Sequence, residues 1–214
     1  MGRSKFALLV AVGLASCANV STKFPPGLAP VDLTNLAPLP VANNADPYPE
    51  TFNGVYGNTH GYDWGHAQGY IKAPIAIVWA AIKDPQVVAD RRSADKLSYV
   101  MNIDPTYDFS YQLHYYVSDD LVEWEENWRY GVIEGTDDAP LEIVNSNQKV
   151  WGTEYIRIDA GSMLIQSVAA DLTLIGVMEH LDATGSDTSN ISQYYKDFFA
   201  SVTARAHGMP LPTY

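Results

Sequence analysis

Residues 188–207 constrain the fold more than any other stretch of the chain. Ile191, Tyr194, Tyr195, Phe198, Phe199 and Val202 recur at three- and four-residue spacing, so one face of a helix is aromatic and aliphatic while Gln193, Lys196, Asp197 and Arg205 fall elsewhere. Asp187, Thr188, Ser189 and Asn190 offer several N-caps, and Gly208 followed by Pro210 supplies a stop. A face this apolar must be buried. What precedes it is mostly period two: Leu97, Tyr99 and Met101 alternate, then Tyr107, Phe109, Tyr111, Leu113, Tyr115 and Val117, then Val122, Trp124, Trp128 and Tyr130 after a turn at Ser118-Asp119-Asp120. Residues 135–147 read as an inserted loop. Strands resume over 150–158, 163–169 and 172–182, with turns at Asp159-Ala160-Gly161 and Ala170-Asp171. A lone long helix arriving after antiparallel strands buries its face most simply across one concave sheet, which predicts an α+β domain.

The other end of the chain differs in kind. Arg3 and Lys5 precede an apolar run from Phe6 to Leu14, and Leu14-Ala15-Ser16-Cys17 follows, an order expected of a secretory signal that takes no part in the fold. Its end resembles the lipobox of bacterial lipoproteins, which implies cleavage after residue 16 and lipid on Cys17, the only cysteine in the chain. An ordinary signal peptide with a coincidental cysteine is the alternative. Loss of residues 1–16 removes two basic side chains, leaving 11 against 25 acidic and a net charge of −14, which repels nucleic acid and anionic headgroups. Ala18 behind the lipobox resembles an outer-membrane signal, so the expected location is the cell envelope, on the periplasmic or the exterior side.

From residue 17 to 52, prolines at 25, 26, 30, 38, 40, 47 and 49 and the absence of a sustained period predict a semi-rigid extended tether. Residues 53–65 interleave Gly54, Gly57, Gly61 and Gly65 with Tyr56, His60, Tyr62 and Trp64 and read as a lead-in loop; no phosphate-loop lysine follows, so a nucleotide cradle is not expected. A short first strand over 67–72 then leads through Ala73-Pro74 into a helix carrying Ile75, Val78, Trp79 and Ile82, and a second short helix follows Asp84-Pro85.

The run Gly69-Tyr70-Ile71-Lys72-Ala73-Pro74-Ile75-Ala76-Ile77-Val78-Trp79, with Asp84-Pro85 behind it and the final strand and helix at the far end, resembles the START-like helix-grip superfamily. This group, also called SRPBCC, includes polyketide cyclase/dehydrase-like and birch-pollen-allergen-like proteins. The resemblance covers roughly residues 66–207. Two departures lie at the expected cavity rim: Val87 to Arg92 stand where a tryptophan is usual, and residues 135–147 are extra. The resemblance implies a curved seven-stranded antiparallel sheet around the long C-terminal helix, two short helices after strand 1, and a cavity that in many members takes apolar molecules. The resulting map is signal 1–16, tether 17–52, lead-in 53–65, helix-grip domain 66–208 and tail 209–214.

Within that frame the expected ligand-lining residues are Tyr111, Tyr115, Trp124, Glu126, Trp128, His180, Tyr195 and Phe199. Neighbouring strands bearing such side chains line either a hollow with polar handles or a filled core. Glu126 shares the parity of Val122, Trp124, Trp128 and Tyr130, so an unbroken strand aims it inward, where it must pair or stay protonated; a bulge would put it in water. Arg157 is a possible partner from a neighbouring strand. His180 alternates with Leu174 and Met178, which aims it inward as well, as a structural or a catalytic group, whereas His114 has the outward parity. His60, His66 and His207 lack ligands at zinc-like spacing, so no metal is expected, and no cofactor fingerprint is present. The expectation is therefore a membrane-anchored carrier of a small hydrophobic molecule. The rivals are a cyclase/dehydrase-like enzyme using Glu126 or His180 as acid or base, and a filled interaction module facing another envelope protein.

Overall fold

The computed structural model describes residues 24–118 and 121–214. The signal segment 1–16, the lipidation site Cys17 and the Asp119-Asp120 pair lie outside the described residues. The elements in chain order are β1 (Phe52–Thr59), β2 (Tyr62–Ile71), α1 (Ile75–Ile82), α2 (Pro85–Val88), β3 (Lys96–Met101), β4 (Phe109–Val117), β5 (Val122–Thr136), β6 (Ala139–Gly152), β7 (Ile156–Ala169), β8 (Leu172–Ala183) and α3 (Thr188–Ala206). One antiparallel sheet runs in the order β1-β2-β8-β7-β6-β5-β4-β3, so β2 pairs with β8 and brings the chain's two ends together.

The sheet has eight strands rather than the seven expected. The additional strand is β1, in the stretch read as a loop. His60 and Gly61 both adopt positive φ, 51° and 91°, which makes the two-residue turn that joins β1 to β2 as a hairpin. Glycine here is a packing requirement. Gly65 and Gly69 face the concave side, and a Cβ on either would lie 2.5 Å from Ile191 or Phe199 of α3. The small side chains form the trough in which the helix rests, so Ile191, Tyr195, Phe198 and Phe199 are buried as their spacing predicts. The Asp187 carboxylate accepts from Ser189 N–H and the Asn190 side chain from Asp187 N–H, closing a capping box at the start of α3.

Two further segments differ from the sequence reading. Residues 135–147 are not an inserted loop: β5 and β6 continue through them and meet at a turn around Asp137 and Asp138. Asp137 accepts from the Trp79 indole at 2.8 Å and from Lys83, tying that turn to α1. Nor does the chain turn at Asp159-Ala160-Gly161, which lies within β7.

The described part of the expected tether, residues 24–51, is a strap across the convex face. Leu28 is 1% exposed, with its Cδ1 against Gly131 of β5. Val31 N–H donates to Ser162 of β7, and the Asn35 amide donates to the Ala67 and Val177 carbonyls at 3.0 and 3.2 Å. Gln68 bonds Ala37, and Asn53 bonds Leu39. An extended proline-rich chain has no period of its own, so its polar groups are satisfied by side chains of the strands beneath it.

Candidate functional site

Strand parity sets which side chains meet inside. Across the concave face, Tyr111 pairs with Trp128, Trp128 with Asn147, Asn147 with Gly161 and Gly161 with Glu179, so these residues form one row over five strands. Glu126 lies one inward step from that row on β5 and Asp159 one inward step on β7. The β5–β6 register slips beside Glu126, at Glu125/Glu126, but the slip falls on β6 and the inward parity of β5 survives. Glu126 is 4% exposed.

Its carboxylate is held by aromatic side chains. Trp124 Nε1–H donates to Oε1 at 2.6 Å, Trp128 Nε1–H to Oε2 at 3.0 Å and the Tyr115 hydroxyl to Oε2 at 3.4 Å. Asp159 is within hydrogen-bond reach of Glu126 on one side and of Glu179 on the other, giving a chain of three carboxyls. Asp159 is half-buried and lines the cavity described below. Burial raises all three above their ordinary values. Glu126 and Asp159 lie well above, each with a neighbouring carboxylate adding to the effect, and Glu179 is pushed up to about 8 by burial and then by the charge of Glu126. Gly161 makes the meeting possible, since a Cβ there would lie 2.3 Å from Glu179 Oε2 and 2.7 Å from the Asn147 amide. The Asn147 amide faces Glu179 Oε2 at 3.4 Å; turned over, it bonds the Gly161 backbone instead, so it can serve either protonation state of Glu179.

These groups line a cavity of about 70 Å³ between the sheet and the first turns of α3, walled by Tyr115, Trp124, Trp128, Leu181, Ile191 and Tyr194. That is space for about two water molecules. Asp90, Asn190 and Tyr194 are shared with an adjoining polar depression of about 340 Å³ between α3 and the segment after α2.

Of the expected lining residues, Tyr115, Trp124, Glu126 and Trp128 converge on this cavity. Tyr111 lies deeper in the core, its hydroxyl 2.9 Å from that of Tyr130. The Tyr195 hydroxyl donates to the Gly65 carbonyl at 2.7 Å and fastens α3 to β2. Phe199 stacks on Phe52 at 4.6 Å and borders an outer groove. His180 does not point inward. It lies on the convex face, where His180 Nε2 and His66 Nε2 approach one Asp32 oxygen at 2.7 and 2.8 Å. β8 is apolar on both faces because the strap covers its outer side, so the parity of Leu174 and Met178 is that of the convex face. His66 Nδ1 accepts from Leu36 N–H at 2.9 Å, which places the proton on Nε2 and directs it to Asp32; neither nitrogen is then free for a metal. Arg157 pairs with Asp182 rather than Glu126, and His114 lies on the outer face between Glu123 and Glu125, as its parity predicts. Asp159, Glu179 and Asn147 were not anticipated. Asp159 reads as a turn residue, and Glu179 is signalled only by sharing the parity of Ile175 and Val177.

No protein-family model and no curated protein sequence matches the chain. Solved structures do. A STAR-related lipid transfer protein from Xanthomonas axonopodis is 13% identical with a TM-score of 0.52, covering 74% of this chain and 95% of that one. Human StAR-related lipid transfer protein 5 is 10% identical with a TM-score of 0.52, covering 83% and 89%. An uncharacterized protein from Rhizobium leguminosarum is 12% identical with a TM-score of 0.50, covering 74% and 99%. Together with an open antiparallel sheet closed over a C-terminal helix, these likenesses show that the chain has the START-like helix-grip fold, here with eight strands.

Proposed function

We propose that this chain is a lipid-anchored envelope protein whose helix-grip domain binds a small molecule with an apolar portion, held between the sheet and α3. One observation carries the reading: a cavity at the end of an otherwise filled aromatic core, in which Tyr115, Trp124 and Trp128 converge on a single buried carboxyl group. Concave, mostly apolar spaces with a few convergent polar groups are the usual form of small-molecule sites. The lipid-transfer names of two similar structures support an apolar guest. The rest of the interior, around Trp79, Tyr111 and Tyr130, is packed, so the guest's buried part is small.

Native mass spectrometry of full chain purified in mild detergent, before and after exposure to an envelope lipid extract, tests this. Wild type is expected to show a species heavier by a small organic molecule, and Trp128→Ala to lose it. A wild-type spectrum of protein alone under both conditions would sink the reading.

The cluster also favours an acid–base enzyme. A carboxyl such as Glu179, held protonated near neutral pH beside two others, has the property a general acid needs. His180 has no part in that version, because it faces the convex side. A turnover assay on wild type and Glu179→Gln separates the two: an enzyme turns over substrate and loses that turnover in the variant, whereas a binder shows none in either protein.

A further inference from the structure

Three carboxyl groups, those of Glu126, Asp159 and Glu179, line the cavity, and the Trp124, Trp128 and Tyr115 donors all go to Glu126. Asn147 offers Glu179 one N–H. Glu179 is 7% exposed, and its Oε1 is buried without a hydrogen-bond partner in a wall of the cavity, where an orphaned acceptor is costly. No lysine, arginine or histidine side chain is among the described residues lining the space. Lys149 stands opposite Glu126 in the ladder, but its ammonium is turned to the Thr153 and Ile156 carbonyls. Among the described residues no three acidic, histidine or cysteine side chains are grouped closely enough to hold a metal ion.

We infer that the group this cavity receives is a protonated amine: the ammonium head of a small organic cation, entering past Asp90 and Tyr194 and donating to Glu179 and Asp159. The inference rests on reading the cavity as a ligand site. An ammonium carries three donors and one positive charge on a compact head, and a cation is what the described lining of this carboxyl-bearing pocket lacks. An ammonium head with its first two or three carbons fills about 70 Å³, a fourth carbon reaching the mouth near Asp90 and Tyr194, and the rings of Tyr115, Trp124 and Tyr194 add attraction for a cation. Because burial raises Glu179 to about 8, the amine displaces a proton from it on binding below that pH, so affinity rises with pH while the amine itself stays charged.

The test uses full chain in detergent micelles and three probes of one size: butylamine, 1-butanol and butanoate. Each is titrated against the indole N–H resonances of Trp124 and Trp128, which point at Glu126. Butylamine is expected to bind at least tenfold more tightly than butanol and to tighten from pH 6.5 to 8.5, with butanoate weakest. Glu179→Gln is expected to cut the advantage of the amine over butanol to less than threefold. Should that variant not fold, the pH series on wild type decides, since neither a neutral guest nor an anion tightens with pH. Butanol equal to butylamine, or butanoate the tightest of the three, overturns the inference and leaves the cavity a site for a neutral or anionic guest. Indole signals unmoved by all three probes overturn the ligand site itself.

Discussion

Glu179 shows how position sets chemistry. It sits at the inner face of β8 opposite a glycine, so its carboxyl has space but is withdrawn from bulk solvent, and its ordinary value of 4.5 rises to about 8. The sign of the linkage follows. Below pH 4.5 the group is protonated whether or not the chain is folded, and the contribution of the fold is complete. Between 4.5 and about 8 the folded chain keeps a proton that the unfolded chain has lost, so stability falls as pH rises, by at most about 1.4 kcal/mol per pH unit for each such group. Glu126 and Asp159 are shifted in the same direction and steepen the fall. Carboxylates held low by partners, such as Asp182 beside Arg157 and Asp187 at the α3 cap, act at more acid pH and do not oppose it in this window. The melting temperature of wild type is expected to drop from pH 5 to pH 8. Glu179→Gln, which cannot ionise, should drop less and be the more stable protein at pH 8. A wild-type melting temperature that climbs over that interval would contradict the carboxyl cluster.

At the scale of elements, the strap and β8 explain each other. Leu174, Gly176 and Met178 face outward and Ile175 and Val177 inward, so β8 is apolar on both sides, as a strand covered on both faces must be. Its cover is residues 24–51, and Leu28 is the side chain most enclosed by that contact. Leu28→Ala is expected to cost about 2–4 kcal/mol in urea unfolding with an unchanged slope, whereas a residue in a free tether would cost under about 0.5 kcal/mol. The same pair shows what could be read from sequence. α3, the β4–β5 hairpin and the inward parity of Glu126 were legible because each carries an unbroken period over several turns or pleats. β1, the strap and the outward aim of His180 were not. Glycines that admit a helix resemble loop glycines, a proline-rich strap bonds through side chains without a period, and a strand apolar on both faces does not reveal which is the inner one. The lack of alternation in 172–178 was the available signal that something covers the convex side.

For the whole molecule, the strap changes what the proposed anchor can do. Had residues 17–52 been a tether, the domain would have ranged freely above the bilayer. With the strap in place from Phe24 onward, at most seven residue steps separate Cys17 from the folded body, a span of about 25 Å even if fully extended. A lipid on Cys17 therefore holds the domain close to the membrane by the end of the strap near Pro26 and Tyr107, with the convex side of β5 nearest to the attachment. At physiological ionic strength the repulsion between anionic headgroups and a chain whose charge would be −14 after the proposed cleavage is screened beyond about 8 Å, so this distance is tolerable where contact is not. Full chain expressed in a Gram-negative host should fractionate with membranes and carry the mass of an acylated cysteine at its new N-terminus. Cys17→Ser should move to the soluble envelope fraction with its melting temperature unchanged. In the acylated protein, a fluorophore at Leu33, fully exposed on the strap, should transfer energy efficiently to headgroup dyes. Twenty Gly/Ser residues inserted after Ala18 should reduce that transfer without releasing the protein. Wild type and Cys17→Ser appearing together in the soluble fraction would refute the anchor, and transfer insensitive to the insertion would refute the short leash.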